Sequence, residues 1–208
     1  MRLLIATTNR NKVSEIRALL GFGSDFGRAF EFTTLDEFGS LPAPEETGRT
    51  FEENARQKAL YYAAATGVLT VAEDSGLEID ALAGAPGVES ARFGGAQTSY
   101  PDKFTLIYDA LRAKGRAAAE SSARFVCALA LVQGDRVLFE ARGTVEGRVS
   151  PEPKGSGGFG YDPIFFYPPY GRTLGEVTAA EKSRVSHRGA AFRQLRDFLR
   201  RFAPEELA

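Results

Sequence analysis

The chain has 208 residues, enough for one domain or two closely packed lobes, and 43% of them are hydrophobic, so a sizeable core is available. A net charge of −1 excludes a general affinity for nucleic acid or an anionic membrane surface, and a single cysteine, Cys127, excludes an internal disulfide. No apolar run approaches the roughly 18–20 residues that cross a bilayer, and Met1-Arg2-Leu3-Leu4-Ile5-Ala6 meets polar residues too soon for a signal peptide, so a soluble cytoplasmic protein is expected.

Leu3-Leu4-Ile5-Ala6 reads as a buried first strand. Thr7-Thr8-Asn9-Arg10-Asn11-Lys12 follows, and Val13, Ile16, Leu19 and Leu20 then recur at helical spacing up to Gly21. A loop of hydroxyl, amide and cationic groups therefore separates strand from helix. Free backbone N–H groups at a helix start attract phosphate, and Lys12 adds a point charge. The competing reading is ordinary capping by Asn or Thr. Phe30 to Leu35 predicts a second strand, and residues 36–49 a loop carrying Glu45-Glu46. Thr50-Phe51-Glu52-Glu53 fits a capping box opening a helix that continues to Thr66. Phe51, Ala55, Ala59 and Ala63 make its inward stripe, and Asn54 and Lys58, four apart, share a face.

The chain is organised around Val71-Ala72-Glu73-Asp74-Ser75-Gly76. A short strand from Leu69 to Ala72 would place two adjacent carboxylates at its carboxyl end, where open α/β sheets keep their ligands, with Gly76 turning the backbone just beyond. Two neighbouring acids suit a hard cation, because Mg²⁺ takes one or two carboxylates plus substrate phosphates. Leu77 to Leu82 predicts a further short strand, Ala83 to Val88 a turn, and Pro101 the opening of a helix with Phe104, Ile107, Tyr108 and Leu111 as its stripe. Arg124 to Val132 is too continuously apolar to have a wet face, which makes it a buried strand with Cys127 as a buried thiol. Val137 to Ala141 returns as its hairpin partner, a pair assigned to a second, smaller lobe.

Gly155-Ser156-Gly157-Gly158-Phe159-Gly160-Tyr161-Asp162-Pro163 is the most biased stretch. Its glycines admit a ligand close to the backbone, and Phe159 and Tyr161 offer flat faces for a base. Thr178-Ala179-Ala180-Glu181 is a second capping box, opening a helix that carries Lys182. Ser186-His187-Arg188-Gly189 opens the last helix, with Phe192, Leu195, Phe198, Leu199 and Phe202 as its buried stripe. His187, the only histidine, stands beside an arginine at a helix start, a place suited to reading polar edges of an anionic ligand.

Together these stretches, with Glu45-Glu46-Thr47-Gly48, Phe51-Glu52-Glu53-Asn54-Ala55 and Gly84-Ala85-Pro86-Gly87, resemble the inosine triphosphate pyrophosphatase family over nearly the whole chain. The resemblance implies an elongated α/β fold within one domain, 1–208: a mixed central sheet flanked by helices, in two lobes with the active-site cleft between them. It also implies a homodimer in which Mg²⁺ supports hydrolysis of ITP, dITP or XTP to monophosphate and pyrophosphate. Asp74 is then the catalytic acid or base and a metal ligand, and Glu46 the second metal carboxylate. Thr7, Thr8, Asn9, Arg10, Asn11 and Lys12 cradle the phosphates, and Ser75 contacts the substrate. Phe159, Gly160, Tyr161 and Asp162 hold base and sugar, and Lys182, His187 and Arg188 contact the nucleotide, the last two near the base. The sequence departs from the family at Thr8, where glycine is common, and at Glu73, where aspartate is. Two rival readings stay open: a pyrophosphatase acting on pyrimidine or modified nucleotides, and a module that binds nucleotide without hydrolysis.

Overall fold

The structure, a computed structural model, describes residues 1–21 and 30–201. Phe202, expected in the stripe of the last helix, lies outside them. Arg2–Ile5 forms β1, Arg10–Leu19 α1, Glu31–Thr34 β2, Phe51–Thr66 α2 and Leu69–Ile79 β3. Tyr100–Ala113 forms α3, Ser122–Gln133 β4 and Arg136–Val149 β5. Phe165–Tyr167 is β6, Arg172–Thr173 β7, Ala179–Val185 α4 and His187–Arg201 α5. The strands lie in one sheet in the order β2-β1-β3-β4-β5-β6-β7. β1 runs parallel to β2 and β3, whereas β6 runs antiparallel to β5 and β7, so the sheet is mixed as expected.

Two compact units share the chain, one made of Met1–Asp74, Cys127–Gly143 and the chain from His187, the other of Ser75–Val126 and Thr144–Ser186. The hairpin is therefore not the property of one smaller lobe: its turn end belongs to the first unit and its base to the second.

In the first unit, side chains alternate between two apolar layers, as strand geometry requires. Leu3, Ile5 and Val71 pack with Ile16 and Leu19 of α1 and Phe192 and Leu195 of α5. Leu4, Ala6 and Ala72 pack on the other face with Ala59, Tyr62 and Ala63 of α2. Burial on both faces explains why these strands read as unbroken apolar runs. Strand order 2-1-3 with helices on opposite faces puts the topological switch point at the carboxyl ends of β1 and β3, the place where such sheets bind ligands. The core of the second unit joins Leu77 and Ile79 of β3 to Phe104, Ile107 and Leu111 of α3 and to Phe125 and Phe165.

One expectation fails in the centre. β3 does not stop at Ala72 but runs through Glu73, Asp74 and Gly76 to Ile79. Gly76 is absent from the positive-φ residues, so it turns nothing. It is there for closeness: a Cβ at that position would stand 2.3 Å from Ser90 Oγ and 2.6 Å from the Gly87 carbonyl. That hydroxyl accepts the Leu77 N–H at 2.9 Å and donates to the Gly87 carbonyl at 2.6 Å, which locks the turn-rich loop onto the strand. The acids still lie past the end of the parallel ladder, because the register pairs the last residue of β1, Ile5, with Val71.

Candidate active site

The site of the first unit begins where β1 ends. Asn9 caps α1, its Oδ1 accepting from the N–H groups of Asn11 at 3.0 Å and Lys12 at 3.3 Å, and Thr7 Oγ1 accepts from the Asn9 N–H at 3.2 Å. Of the two readings the sequence offers for this helix start, capping is the one the structure forms. Thr7, Thr8 and Arg10 line a pocket of about 230 Å³ together with Arg17, Thr34 and Asp36. Lys12 turns the other way and meets Glu73 Oε1 at 2.9 Å.

Glu73 has a side chain only 1% exposed. It is held by groups from several elements: Lys12 of α1, Arg188 of α5 at 3.1 Å, and the Cys127 thiol of β4 at 3.5 Å. Burial alone would raise its pKa; Arg188 and Lys12 outweigh burial and hold its carboxyl well below the usual range. Burial and the neighbouring Glu73 charge push the Cys127 thiol far up, which makes it an inert buried group.

Arg188 is expected near a base. Its side chain is instead 1% exposed, with Nη1 on Glu15 at 2.6 Å and Nε and Nη2 on Glu73. All three guanidinium nitrogens donate to carboxylates, so Arg188 supports Glu73. His187, one residue earlier, is 5% exposed.

Asp74, the next residue along β3, points to the opposite face, where α2 lies. Its Oδ2 accepts from Asn54 Nδ2 at 2.9 Å, and its Oδ1 lies 3.3 Å from Lys58 Nζ. Lys58 also meets Glu46 Oε1 at 2.6 Å, so Glu46 and Asp74 converge on one ammonium. Burial pushes the Asp74 carboxyl above its ordinary pKa despite Lys58 and Asn54. Burial also works against the Lys58 charge, yet Asp74 and Glu46 keep its pKa raised. Among the described residues no three His, Cys, Asp or Glu side chains gather as a metal cage.

The loop that brings Glu46 there is docked on α2 residue by residue. Thr47 Oγ1 reaches Gln57 Oε1 at 3.5 Å, the Gly48 N–H donates to Asn54 Oδ1 at 2.8 Å, and the Arg49 N–H donates to Glu53 Oε2 at 2.6 Å. Thr50 caps the helix by accepting from the Glu53 N–H. The expected capping box is thus half formed, because Glu53 reaches back one residue further, to Arg49.

The second unit assembles the glycine-loop residues. Asp162 Oδ2 accepts from the Phe159 N–H at 2.7 Å and from Lys182 Nζ at 2.5 Å, and Lys182 sits 4.6 Å over the Phe159 ring. Gly160 adopts φ 69°. Phe159 is half-buried, whereas Tyr161 is only 4% exposed, edge-on to Tyr100, with its hydroxyl donating to the Ser90 carbonyl at 2.8 Å. Of the two rings expected to receive a base, Tyr161 is part of the core. Tyr161→Phe should lower stability by about 1 kcal/mol and leave KM within about twofold of wild type, measured by thermal melts and steady-state kinetics. A large rise in KM at unchanged stability would return Tyr161 to the ligand. Ser75, half-buried, follows Asp74 in β3.

From the sequence, Asn54 and Lys58 share a helix face; the structure adds that Asn54 belongs to the site. The available signal is its position: a polar side chain beside the buried stripe of a helix must find a buried partner.

These features define an α/β protein with a carboxylate–lysine centre at the switch point of a parallel ladder. The chain belongs to the Ham1 family, whose model matches residues 3–198. It is 42% identical over 205 residues to the dITP/XTP pyrophosphatase of Exiguobacterium sibiricum, covering 99% of this chain and 100% of that protein. It is 44% identical over 195 residues to the protein of the same name from another Exiguobacterium, covering 94% and 95%. A HAM1 protein structure from Coxiella burnetii matches with a TM-score of 0.87 at 38% identity, over 97% of this chain and 100% of that one.

Proposed function

We propose that this chain hydrolyses non-standard purine nucleoside triphosphates (ITP, dITP, XTP) to the monophosphate and pyrophosphate, and that residues 1–208 act as one domain. The observation that carries this reading is the convergence of Glu46 and Asp74 on one ammonium, beside a lysine anchored by a buried glutamate. The dITP/XTP pyrophosphatase name of full-length relatives supports the substrate class, and a family match from residue 3 to residue 198 supports the single domain.

The residues present fit Mg²⁺. Two carboxylates already share one cation, the Lys58 ammonium, and Mg²⁺ needs no more than one or two carboxylates when phosphates and water supply the rest. Glu46 and Asp74 would hold it, and the ion would neutralise phosphate charge. Lys12 and Lys58 bind phosphate oxygens, and the Thr7–Lys12 segment supplies further contacts through its side chains. Asp74 orients the attacking water at the α-phosphorus and takes its proton, while pyrophosphate leaves. Phe159 stacks on the base, with Gly160, Asp162 and Lys182 fixing base and sugar. A donor facing O6, supplied by His187 or a backbone N–H, accepts inosine and xanthine and is left facing another donor by adenine. Arg188 acts behind this contact, through Glu73. The family resemblance further supports a cytoplasmic homodimer, for which size-exclusion chromatography with light scattering is the test of assembly.

Incubation with dITP, XTP, ITP, GTP and ATP in Mg²⁺ decides the reading. The expected products are monophosphate and pyrophosphate, from the first three substrates in preference to the last two. Diphosphate plus orthophosphate would refute attack at the α-phosphorus.

A further inference from the structure

We propose that Asn54 is a positioning residue that sets the Asp74 carboxylate and the Glu46-bearing loop in a single geometry; the inference rests on the hydrolase reading above. The Asn54 side chain is fully buried, at 0% exposure, and both ends of its amide are engaged. Oδ1 accepts from the Gly48 N–H at 2.8 Å and Nδ2 donates to Asp74 Oδ2 at 2.9 Å. Neither end can be exchanged. A flipped amide would set its NH₂ against the Gly48 N–H and its oxygen against a carboxylate, two repulsions in place of two bonds.

One amide therefore reads two elements at once. It ties the loop bearing Glu46 to α2, and it fixes which oxygen of Asp74 is taken up by the protein. Oδ2 is occupied, so Oδ1 is the oxygen facing Lys58 and, through it, Glu46. Gly48 belongs to the same device: a Cβ there would lie 2.5 Å from Asn54 Oδ1 and 2.8 Å from Glu53 Cβ. Its φ lies outside the left-handed region, so the glycine serves proximity to the amide and not backbone freedom. Partners that orient ligating carboxylates in this way are worth roughly 10–100-fold in metal affinity or activity.

The test uses the full chain with Asn54→Ala, Asn54→Asp and Gly48→Ala. Turnover of dITP is measured at saturation, and binding of Mn²⁺ alone to the nucleotide-free protein is followed by electron paramagnetic resonance. Asn54→Ala is expected to lower kcat roughly 10–100-fold with KM within about threefold, and to weaken Mn²⁺ binding relative to wild type. Asn54→Asp keeps the acceptor for the Gly48 N–H but loses the donor to Asp74, so its turnover should fall as far. Recovery of wild-type turnover in Asn54→Asp would mean that Asn54 anchors only the loop, and would overturn the proposal. Wild-type kcat and Mn²⁺ affinity in Asn54→Ala would overturn it equally. Should Asn54→Ala fail to fold, Gly48→Ala decides in its place, since it displaces the same amide from outside; it should lower both quantities. A wild-type chain that leaves dITP intact would sink the hydrolase reading alone, with the role of Asn54 still read from Mn²⁺ affinity.

Discussion

Asp74→Asn should fold as the wild type does and lose turnover by roughly 10²–10⁴-fold, the range typical of a positioned general base. The substitution changes charge and little else. The introduced amide would keep one oxygen to accept from Asn54 Nδ2, and the side chain would still fill the space between β3 and α2. Stability should change little, because the carboxylate is itself disfavoured there. Burial already pushes its pKa upward, so a neutral side chain removes a desolvation penalty while it gives up Lys58. What disappears is the proton acceptor and half of the carboxylate pair. The assay is saturating dITP with Mg²⁺, alongside a thermal melt. A variant with intact turnover would take Asp74 out of the mechanism, and one that fails to fold would make it a structural residue.

Arg188→Met should act on stability instead. Removing one partner of a buried pair leaves the other charge uncompensated, at a loss of about 3–5 kcal/mol. Here the carboxylates left behind are Glu15 and the fully enclosed Glu73, and Glu73 keeps Lys12 at 2.9 Å, so the loss should fall toward the lower end of that range, about 3 kcal/mol. The pH dependence identifies the cause. In the wild type Glu73 has a folded-state pKa below its ordinary value of 4.5, so its stabilisation is complete above that pH and is lost as pH falls toward the depressed value. Without Arg188 that pKa rises, so the folded variant takes up a proton more readily. The gap in unfolding free energy between the two proteins should therefore be widest near neutrality and narrow as pH drops below 4.5. Urea melts at neutral and acidic pH measure it. A gap independent of pH would mean that lost packing, not the unpaired glutamate, explains the effect.

Much of this is legible in the sequence, because period and chemistry agree there. α2 occupies the span expected from its cap and stripe, and Thr178 forms the full box with Glu181. The family resemblance singles out Lys12, Glu46 and Asp74, and helix spacing places Lys58 only on the face of Asn54; in the structure Lys58 joins the two acids, and Lys12 pairs with the residue beside Asp74. What the sequence leaves open shares a cause: a residue can have two physical uses, and the local pattern does not say which applies. Gly76 reads as a turn but permits close packing inside a strand. The helix start at Asn9 reads either as a cap or as phosphate donors, and Asn9 caps the N–H groups of Asn11 and Lys12. Tyr161 and Arg188 are expected at the ligand; the sequence does not show that Tyr161 also packs in the core or that Arg188 also pairs with a buried glutamate. Which use wins depends on neighbours distant in sequence, such as Ser90 for Gly76 and Glu15 for Arg188, and no local pattern carries those.

The pleat of β3 has a consequence for how this site can change. Consecutive residues face opposite layers, so Glu73 joins the α1 and α5 side and Asp74 the α2 side. Adding or deleting a single residue between Val71 and Glu73 would exchange them, turning the foundation toward the reagent's place and the reagent into the foundation. The length of the segment leading to the two acids is thus constrained as tightly as the acids themselves, and gene variants that alter it by one codon should be inactive even where every functional side chain is retained.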